Sequence, residues 1–187
     1  MTVLVVSTFL ATLALAAFAA SLLTVMLVLA ERTRLLPGAT DAPRAVIGPG
    51  ALWLAVVVAL TATAGSLYFS EVAAFEPCAL CWYQRIAMYP LVLVLGLAAV
   101  RGDAAVRRYV VPVAAVGALI SIYHVGVERL PGLPTGSCSV EAPCDLIWVE
   151  RFGFVTIPVM ALAGFLAIIT LLLVYTGGAQ PEQESNA

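Results

Sequence analysis

The chain has 187 residues, of which 63% are hydrophobic and only 11% are charged, and its formal net charge is −2. A soluble domain carries about 25% charged residues, so the composition excludes a water-soluble globular protein, and its high hydrophobicity excludes a disordered one. The chain contains no lysine and no basic cluster, which argues against nucleic acid as a partner. We therefore expect an all-α integral membrane protein surrounded by lipid.

Five apolar runs are each long enough to cross a bilayer as a helix, which requires roughly 20 residues. In chain order they span residues 2–30, 51–70, 82–100, 109–127 and 154–175. The first run is longer than the apolar part of a cleavable signal, and no basic residue precedes it. We therefore expect a retained first helix, with its N-terminus outside the cell.

The arginines predict the orientation of these helices, because basic residues concentrate in cytoplasmic loops. Six of the nine fall on one side of the five-span arrangement: Arg32, Arg34, Arg44, Arg101, Arg107 and Arg108. This side, together with the polar tail 176–187, is predicted to be cytoplasmic in a multi-pass protein of the cell membrane. Loops 71–81 and 128–153 then face outward, and the prolines and glycines at 131–136 predict an extended segment in the second loop.

All four cysteines lie in these two outward loops. Cys78 and Cys81 form a C-x-x-C unit where the third span begins, and five residues separate Cys138 from Cys144. An oxidising compartment makes disulfides plausible on this side of the membrane. Thiols at a helix start experience the helix dipole and unpaired N–H groups, which lower a thiol pKa and favour the reactive thiolate.

From residue chemistry alone, a redox-active C-x-x-C competes with an inert structural disulfide and with a zinc site. The spacing of the second pair does not match usual zinc ligands, and we expect no metal. Arg85 lies one helical turn beyond Cys81, where its charge would favour the Cys81 thiolate; the competing reading is a snorkelling anchor. Gln84 and His124, the only histidine, are candidate contacts at the same membrane depth, His124 also for proton transfer.

The string EPCALCWYQR at residues 76–85, continued by MYP at 88–90, closely resembles the disulfide bond formation protein B family (DsbB), and in particular its BdbC-type branch in Gram-positive bacteria. Three further strings fit this resemblance: SLYFSE at 66–71, ISIYH at 120–124 and FGFVTIP at 152–158. The resemblance covers residues 51–175. It implies a four-helix transmembrane bundle there, preceded by an extra helix at 1–30 and a cytoplasmic loop at 31–50.

The resemblance also implies a set of roles for the cysteines. Cys78 and Cys81 would be the pair beside a quinone, either ubiquinone or menaquinone, with Cys81 in direct contact. Cys138 would face an extracytoplasmic thioredoxin-fold, DsbA-like partner, and Cys144 would exchange with Cys78. Arg85 occupies the position of the family's quinone-site arginine.

The function implied is that of a quinone-dependent protein disulfide oxidoreductase. It would re-oxidise its partner and pass electrons to the quinone, thereby supporting disulfide bond formation. The resemblance further implies a short membrane-surface helix over residues 145–152, with Leu146, Ile147 and Trp148 against lipid. It implies nothing about the role of residues 1–50.

Two other functions remain open from the sequence. One is a non-catalytic membrane scaffold whose loops are held by structural disulfides, which would resist mild reduction and would not cycle with quinone. The other is an enzyme like vitamin K epoxide reductase, also a quinone-linked helical bundle with two cysteine pairs. That family places its loop pair before the C-x-x-C, which is the reverse of the order found here.

Overall fold

The computed structural model describes residues 2–130, 132–133, 138–139 and 142–176. Six α-helices are found in this part of the chain: α1 (Val3–Arg32), α2 (Asp41–Ile47), α3 (Ala51–Leu67), α4 (Ala79–Arg101), α5 (Arg107–Arg129) and α6 (Ile157–Val174). Five helical segments are long and apolar enough to span a membrane, and α2 belongs to the same segment as α3 (Asp41–Val72). The prediction of an all-α membrane protein with five spans is confirmed.

Helices α3 to α6 form a four-helix bundle in which α3 packs on α4, α4 on α5, α5 on α6 and α6 on α3. The core between them is apolar and includes Leu52, Leu91, Leu95, Phe165 and Ile168. Large apolar side chains are also exposed on the outer faces of these helices. That distribution suits a bundle surrounded by lipid, where the outer surface is as apolar as the core.

Helix α1 lies outside this bundle and packs against α6. The face it buries carries small side chains, namely Ser7, Ala11 and Ser21. Small residues let helix backbones approach closely, which is how helices associate in a membrane. The Arg151 side chain donates from Nε to the Ser7 hydroxyl (2.9 Å), so the start of α1 is attached to the segment that precedes α6.

The two ends of the bundle differ in what they carry. One end, the cysteine end, holds the start of α4, the segment before α6 and a π-helical turn at Tyr68–Val72 that follows α3. The opposite end holds α2, which a 3-10 turn at Gly48–Gly50 joins to α3. A second 3-10 turn, at Ala104–Val106, lies at the same end and leads into α5. The arginines of the predicted cytoplasmic side lie at this second end, in α2, at the ends of α1, α4 and α5, or in the connection after α1.

The predicted membrane-surface helix over residues 145–152 is wrong. This segment is irregular and ends in an antiparallel bridge between Arg151 and Val155. The segment also contacts the end of α5, where Arg129 forms an ion pair with Glu150 (2.7 Å). Just beyond it, the Thr156 hydroxyl donates to Glu128 (2.6 Å). These contacts fix the segment across the ends of α5 and α6.

Two predictions fall mostly on residues that the structure does not describe. The tail at 177–187 and most of the proline- and glycine-containing segment at 131–136 lie outside the described residues. The domain boundaries proposed at 30, 50 and 175 remain predictions.

Candidate functional site

The C-x-x-C unit lies at the start of α4, with Cys78 as the residue that caps the helix. The Cys78 sulfur accepts a hydrogen bond from the backbone N–H of Cys81 (3.3 Å). The two sulfurs are 3.0 Å apart, and both cysteines are free thiols. The predicted placement at a helix start is therefore found, and the thiol that meets the unpaired N–H groups is that of Cys78.

The surroundings of Cys78 favour its thiolate. Its pKa is lowered from the usual thiol value to about 4, first by the hydrogen bond with the Cys81 thiol and then by His124, against the opposing effect of burial. A thiolate is the species that exchanges with a disulfide. The local geometry therefore prepares Cys78 for thiol-disulfide chemistry.

His124 lies between the two cysteine pairs. Its Nε2 atom is 3.6 Å from the Cys78 sulfur and 3.1 Å from the carbonyl oxygen of Cys144. The ring is 3% exposed, and Nδ1 has no hydrogen-bond partner within the described parts of the chain. An imidazole in this position can take up or release a proton where the two pairs meet.

The second cysteine pair forms a disulfide between Cys138 and Cys144. Cys144 is 1% exposed and belongs to the same buried cluster as Cys78, Leu80 and Val127, against which Cys138 packs. The two pairs are thus brought together although they come from different loops. The proximity is what an exchange between pairs requires, because thiol-disulfide exchange proceeds through a mixed disulfide between touching sulfurs.

A cavity of about 330 Å³ opens beside Cys81, on the side of α4 that faces α3 and α6. We call it the lateral cavity. Cys81, Arg85 and Gln84 line it near the cysteine end, and its remaining walls are mostly apolar. His124 does not line this cavity and lies instead in a smaller one with Cys78 and Cys81.

Three aromatic side chains cover the cysteine end of the lateral cavity. Phe75 stacks on Trp148 with ring centroids 4.9 Å apart and on Phe69 at 5.9 Å, and all three line the cavity. The stack joins the turn after α3 to the irregular segment before α6. Trp148 thus contacts another aromatic ring as well as facing outward.

Arg85 is held inside the bundle, with 9% of its surface exposed. Its Nε donates to the Ser66 hydroxyl and its Nη2 to the Ser66 carbonyl oxygen, each at 3.0 Å. Its guanidinium also lies 5.1 Å from the centre of the Trp82 ring. These contacts direct the cation toward α3 and the lateral cavity, and a snorkelling side chain would instead be extended into the headgroup region.

Sequence reasoning did not assign a role to Ser66 or Tyr89. The Tyr89 hydroxyl donates to the Ser66 hydroxyl (3.1 Å), and both residues line the lateral cavity. A buried arginine in a membrane span needs oxygen acceptors, and that requirement could have directed attention to the serine in the preceding span. Gln84 is also buried, and its amide donates to the Ser121 hydroxyl (3.1 Å).

The same site offers donors that a metal ion accepts. One atom each of Cys78, Cys81 and His124 lies within 4.8 Å of the other two. A closed structural zinc site has four ligands, so these three donors are one short of that arrangement. The absence of a metal stays a prediction.

Comparison with known proteins places these features in a family. The sequence model of the family described as "Disulfide bond formation protein DsbB" matches residues 49–143. Disulfide bond formation protein C of Bacillus subtilis is 49% identical over 127 residues, which cover 67% of this chain and 92% of that protein.

Two further relatives agree with this match. Probable disulfide formation protein C 1 of Bacillus cereus is 48% identical over 119 residues, covering 63% of this chain and 86% of the relative. A probable disulfide formation protein of Oceanobacillus iheyensis is 45% identical over 124 residues, which cover 65% of this chain and 86% of that protein. No solved structure matches the chain significantly. The chain belongs to the disulfide bond formation protein DsbB family.

Proposed function

We propose that this protein is a membrane thiol-disulfide oxidoreductase that oxidises an extracytoplasmic thioredoxin-fold, DsbA-like dithiol and passes the electrons to a membrane quinone. One observation carries the proposal. The buried cluster at the cysteine end contains Cys78 and Cys144, while Cys81, the partner of Cys78, borders the lateral cavity. A disulfide exchange site and a cavity open to apolar ligands therefore meet at one C-x-x-C.

In the first step, a thiolate of the reduced partner attacks Cys138 and displaces the Cys144 thiolate. The second thiol of the partner then resolves the mixed disulfide. The partner dithiol becomes a disulfide, and the Cys138–Cys144 disulfide becomes a dithiol. Two electrons and two protons are transferred, so the step is balanced.

In the second step, Cys144 attacks Cys78 of a Cys78–Cys81 disulfide and releases the Cys81 thiolate. Cys138 then attacks Cys144, which restores the outer disulfide and releases Cys78. Because the carbonyl oxygen of Cys144 and the sulfur of Cys78 both lie beside Nε2 of His124, this histidine is suited to exchange the proton. Free Cys78 and Cys81 beside a Cys138–Cys144 disulfide have the composition expected after this exchange.

In the third step, Cys78 and Cys81 return to the disulfide and lose two electrons and two protons. A bound quinone, either ubiquinone or menaquinone, would accept the two electrons and the two protons. The lateral cavity fits such a ligand, because its apolar walls suit the ring and tail and Arg85 offers a cation beside Cys81. Arg85 would stabilise negative charge there, and the Gln84 amide has a second N–H beside the one that it donates to Ser121.

Cysteine variants test the order of the relay. Cys78→Ser and Cys81→Ser should each abolish quinone reduction, whereas Cys138→Ser and Cys144→Ser should stop partner oxidation and leave quinone binding within about twofold of the wild type. Ser139→Ala, in the same loop, is the matched control and should behave as the wild type. Full turnover in any of the four cysteine variants would contradict the relay.

A further inference from the structure

Helix α1 precedes the region that matches the family, since the match begins at residue 49 and α1 ends at Arg32. Nothing in the family comparison assigns it a role. Four of its residues nevertheless line the lateral cavity: Leu10, Leu13, Ala14 and Ala17. They lie at spacings of three and four, so they form one stripe of the helix.

Two polar contacts fix α1 in this position. Near the cysteine end, Arg151 donates to the Ser7 hydroxyl (2.9 Å). Fourteen residues further along, which is about 21 Å of helix, the Thr170 hydroxyl contacts the Ser21 hydroxyl (3.2 Å). Hydroxyls buried in an apolar bundle hold a helix in one rotation and one register. The stripe from Leu10 to Ala17 lies between these two contacts and is thereby directed at the cavity.

Gly65 of α3 shows how closely α1 approaches. A Cβ atom at Gly65 would lie 2.8 Å from the Leu10 side chain, so a larger residue there would require the end of that side chain to shift. This contact lies one residue before Ser66, the hydrogen-bond partner of Arg85. Because α1 also packs on α6, it lies over part of the gap between α3 and α6 and lines the lateral cavity there.

The lateral cavity extends from the redox centre into the membrane. On α3 it is lined from Ser66 at the cysteine end to Val57, about nine residues or roughly 13 Å. On α1 the stripe runs in the same sense, away from the end where Ser7 meets Arg151. The charged groups Glu76 and Arg85 lie at the cysteine end, and Ala17 and Val57 are the lining residues of α1 and α3 furthest from it.

We infer that α1 is a built-in wall of the quinone site, and that Leu13, Ala14 and Ala17 form the subsite for the first isoprenoid units of the quinone tail. This inference rests on the proposed function, which places the quinone ring beside Cys81 and Arg85. With the ring there, the tail would extend along the apolar walls formed by α1 and α3. The small side chains of Ala14 and Ala17 leave the space that the tail fills.

The test compares two quinones with the same ring, one carrying an isoprenoid tail and one carrying only a methyl group. Binding to the full-length protein in lipid nanodiscs is measured by quenching of tryptophan fluorescence, so the readout does not depend on turnover. Ala17→Leu should weaken binding of the tailed quinone by about tenfold, because it fills the tail subsite, and change binding of the methyl quinone by less than about twofold. Ala20→Leu, on the exposed face of α1, is the matched control and should change neither.

A second variant covers the case in which Ala17→Leu perturbs folding. Leu13→Ala removes side-chain contacts from the wall without adding bulk, and should weaken binding of the tailed quinone by about fivefold, as loss of buried apolar contact does. Its control is Leu23→Ala, which is exposed and lies beyond the cavity. Equal binding of the tailed quinone by Leu13→Ala and Leu23→Ala would overturn the inference. Failure of the wild type to bind either quinone would overturn the proposed function instead.

Discussion

Nε2 of His124 lies 3.6 Å from the sulfur of Cys78, although 46 residues separate them in the chain. This contact joins α5 to the start of α4 at the point where the second loop enters the bundle. The carbonyl oxygen of Cys144 approaches the same nitrogen at 3.1 Å. The only histidine of the chain thus lies where the two cysteine pairs meet and does not line the lateral cavity, and its predicted role in quinone contact or proton transfer stays a prediction.

The lowered pKa of Cys78 gives a prediction on pH. In a protein carrying Cys138→Ser and Cys144→Ser, thiolate absorbance should report one group titrating at about pH 4. Cys81→Ala should raise this pKa more than His124→Ala does, because the hydrogen bond with the Cys81 thiol is the larger cause and that with His124 the smaller. A larger rise in the histidine variant, or none in either, would contradict the assignment.

The same shift predicts how stability depends on pH. Because the pKa of Cys78 is lower in the folded protein than in the unfolded one, the unfolded reduced chain binds more protons between about pH 4 and the usual thiol pKa. The contribution of Cys78 to the free energy of unfolding therefore rises with pH across this window and is lost as pH falls through about 4.

Replacement of Arg85 tests the cation beside Cys81. Arg85→Ala should raise the quinone KM by about tenfold or more, with binding of the thiol partner little changed. Arg85→Lys should recover only part of this loss, because an ammonium cannot reproduce the paired contacts of the guanidinium with Ser66. Arg108→Ala, exposed at the far end of the bundle, is the control. An unchanged KM in both Arg85 variants would show that the side chain only anchors the helix.

Gly117 of α5 tests the packing of the bundle. A Cβ atom there would collide with the Phe165 ring of α6, which is fully buried. Gly117→Ala should therefore lower the free energy of unfolding by about 1–3 kcal/mol, measured by thermal unfolding in detergent. Gly96→Ala meets nothing within 4 Å and should be neutral or stabilising. Equal melting temperatures for the two variants would contradict this packing of α5 on α6.

The orientation in the membrane remains a proposal that fusions can test. Most of the arginines predicted to be cytoplasmic lie at the end of the bundle opposite the cysteines. Alkaline phosphatase fused after Ala187 should therefore be inactive, and a fusion within the Cys138 loop should be active. The reverse pattern would place the cysteines in the cytoplasm and would contradict the proposed function as well.

The sequence predicted the spans well, because uninterrupted apolar length alone defines a membrane helix. The sequence also predicted that Arg85 lies one turn from Cys81, because that prediction needs only helical periodicity. Both residues line the lateral cavity. For His124, the sequence predicted the depth in the membrane but not the contacts with Cys78 and Cys144. Which neighbour it meets depends on where the second loop folds back, and local sequence does not encode that.

The position of α1 could not be predicted from hydrophobicity. The helix is apolar nearly all round, so no hydrophobic stripe identifies its buried face. That face is instead formed by Ser7, Ala11 and Ser21, because small residues and hydroxyls decide helix contacts in lipid. Residues 145–152 form no helix, and the ion pair of Arg129 with Glu150 and the disulfide at Cys144 attach this segment to its neighbours.

The most direct test of the central claim is a single anaerobic assay with purified protein in nanodiscs. A reduced thioredoxin-fold dithiol and a quinone are supplied, and quinone absorbance and partner thiols are followed together. One quinone should be reduced for each partner disulfide formed, and Cys81→Ser should stop both the reduction of quinone and the oxidation of the partner. Oxidation of the partner without reduction of quinone, or no oxidation by the wild type, would contradict it.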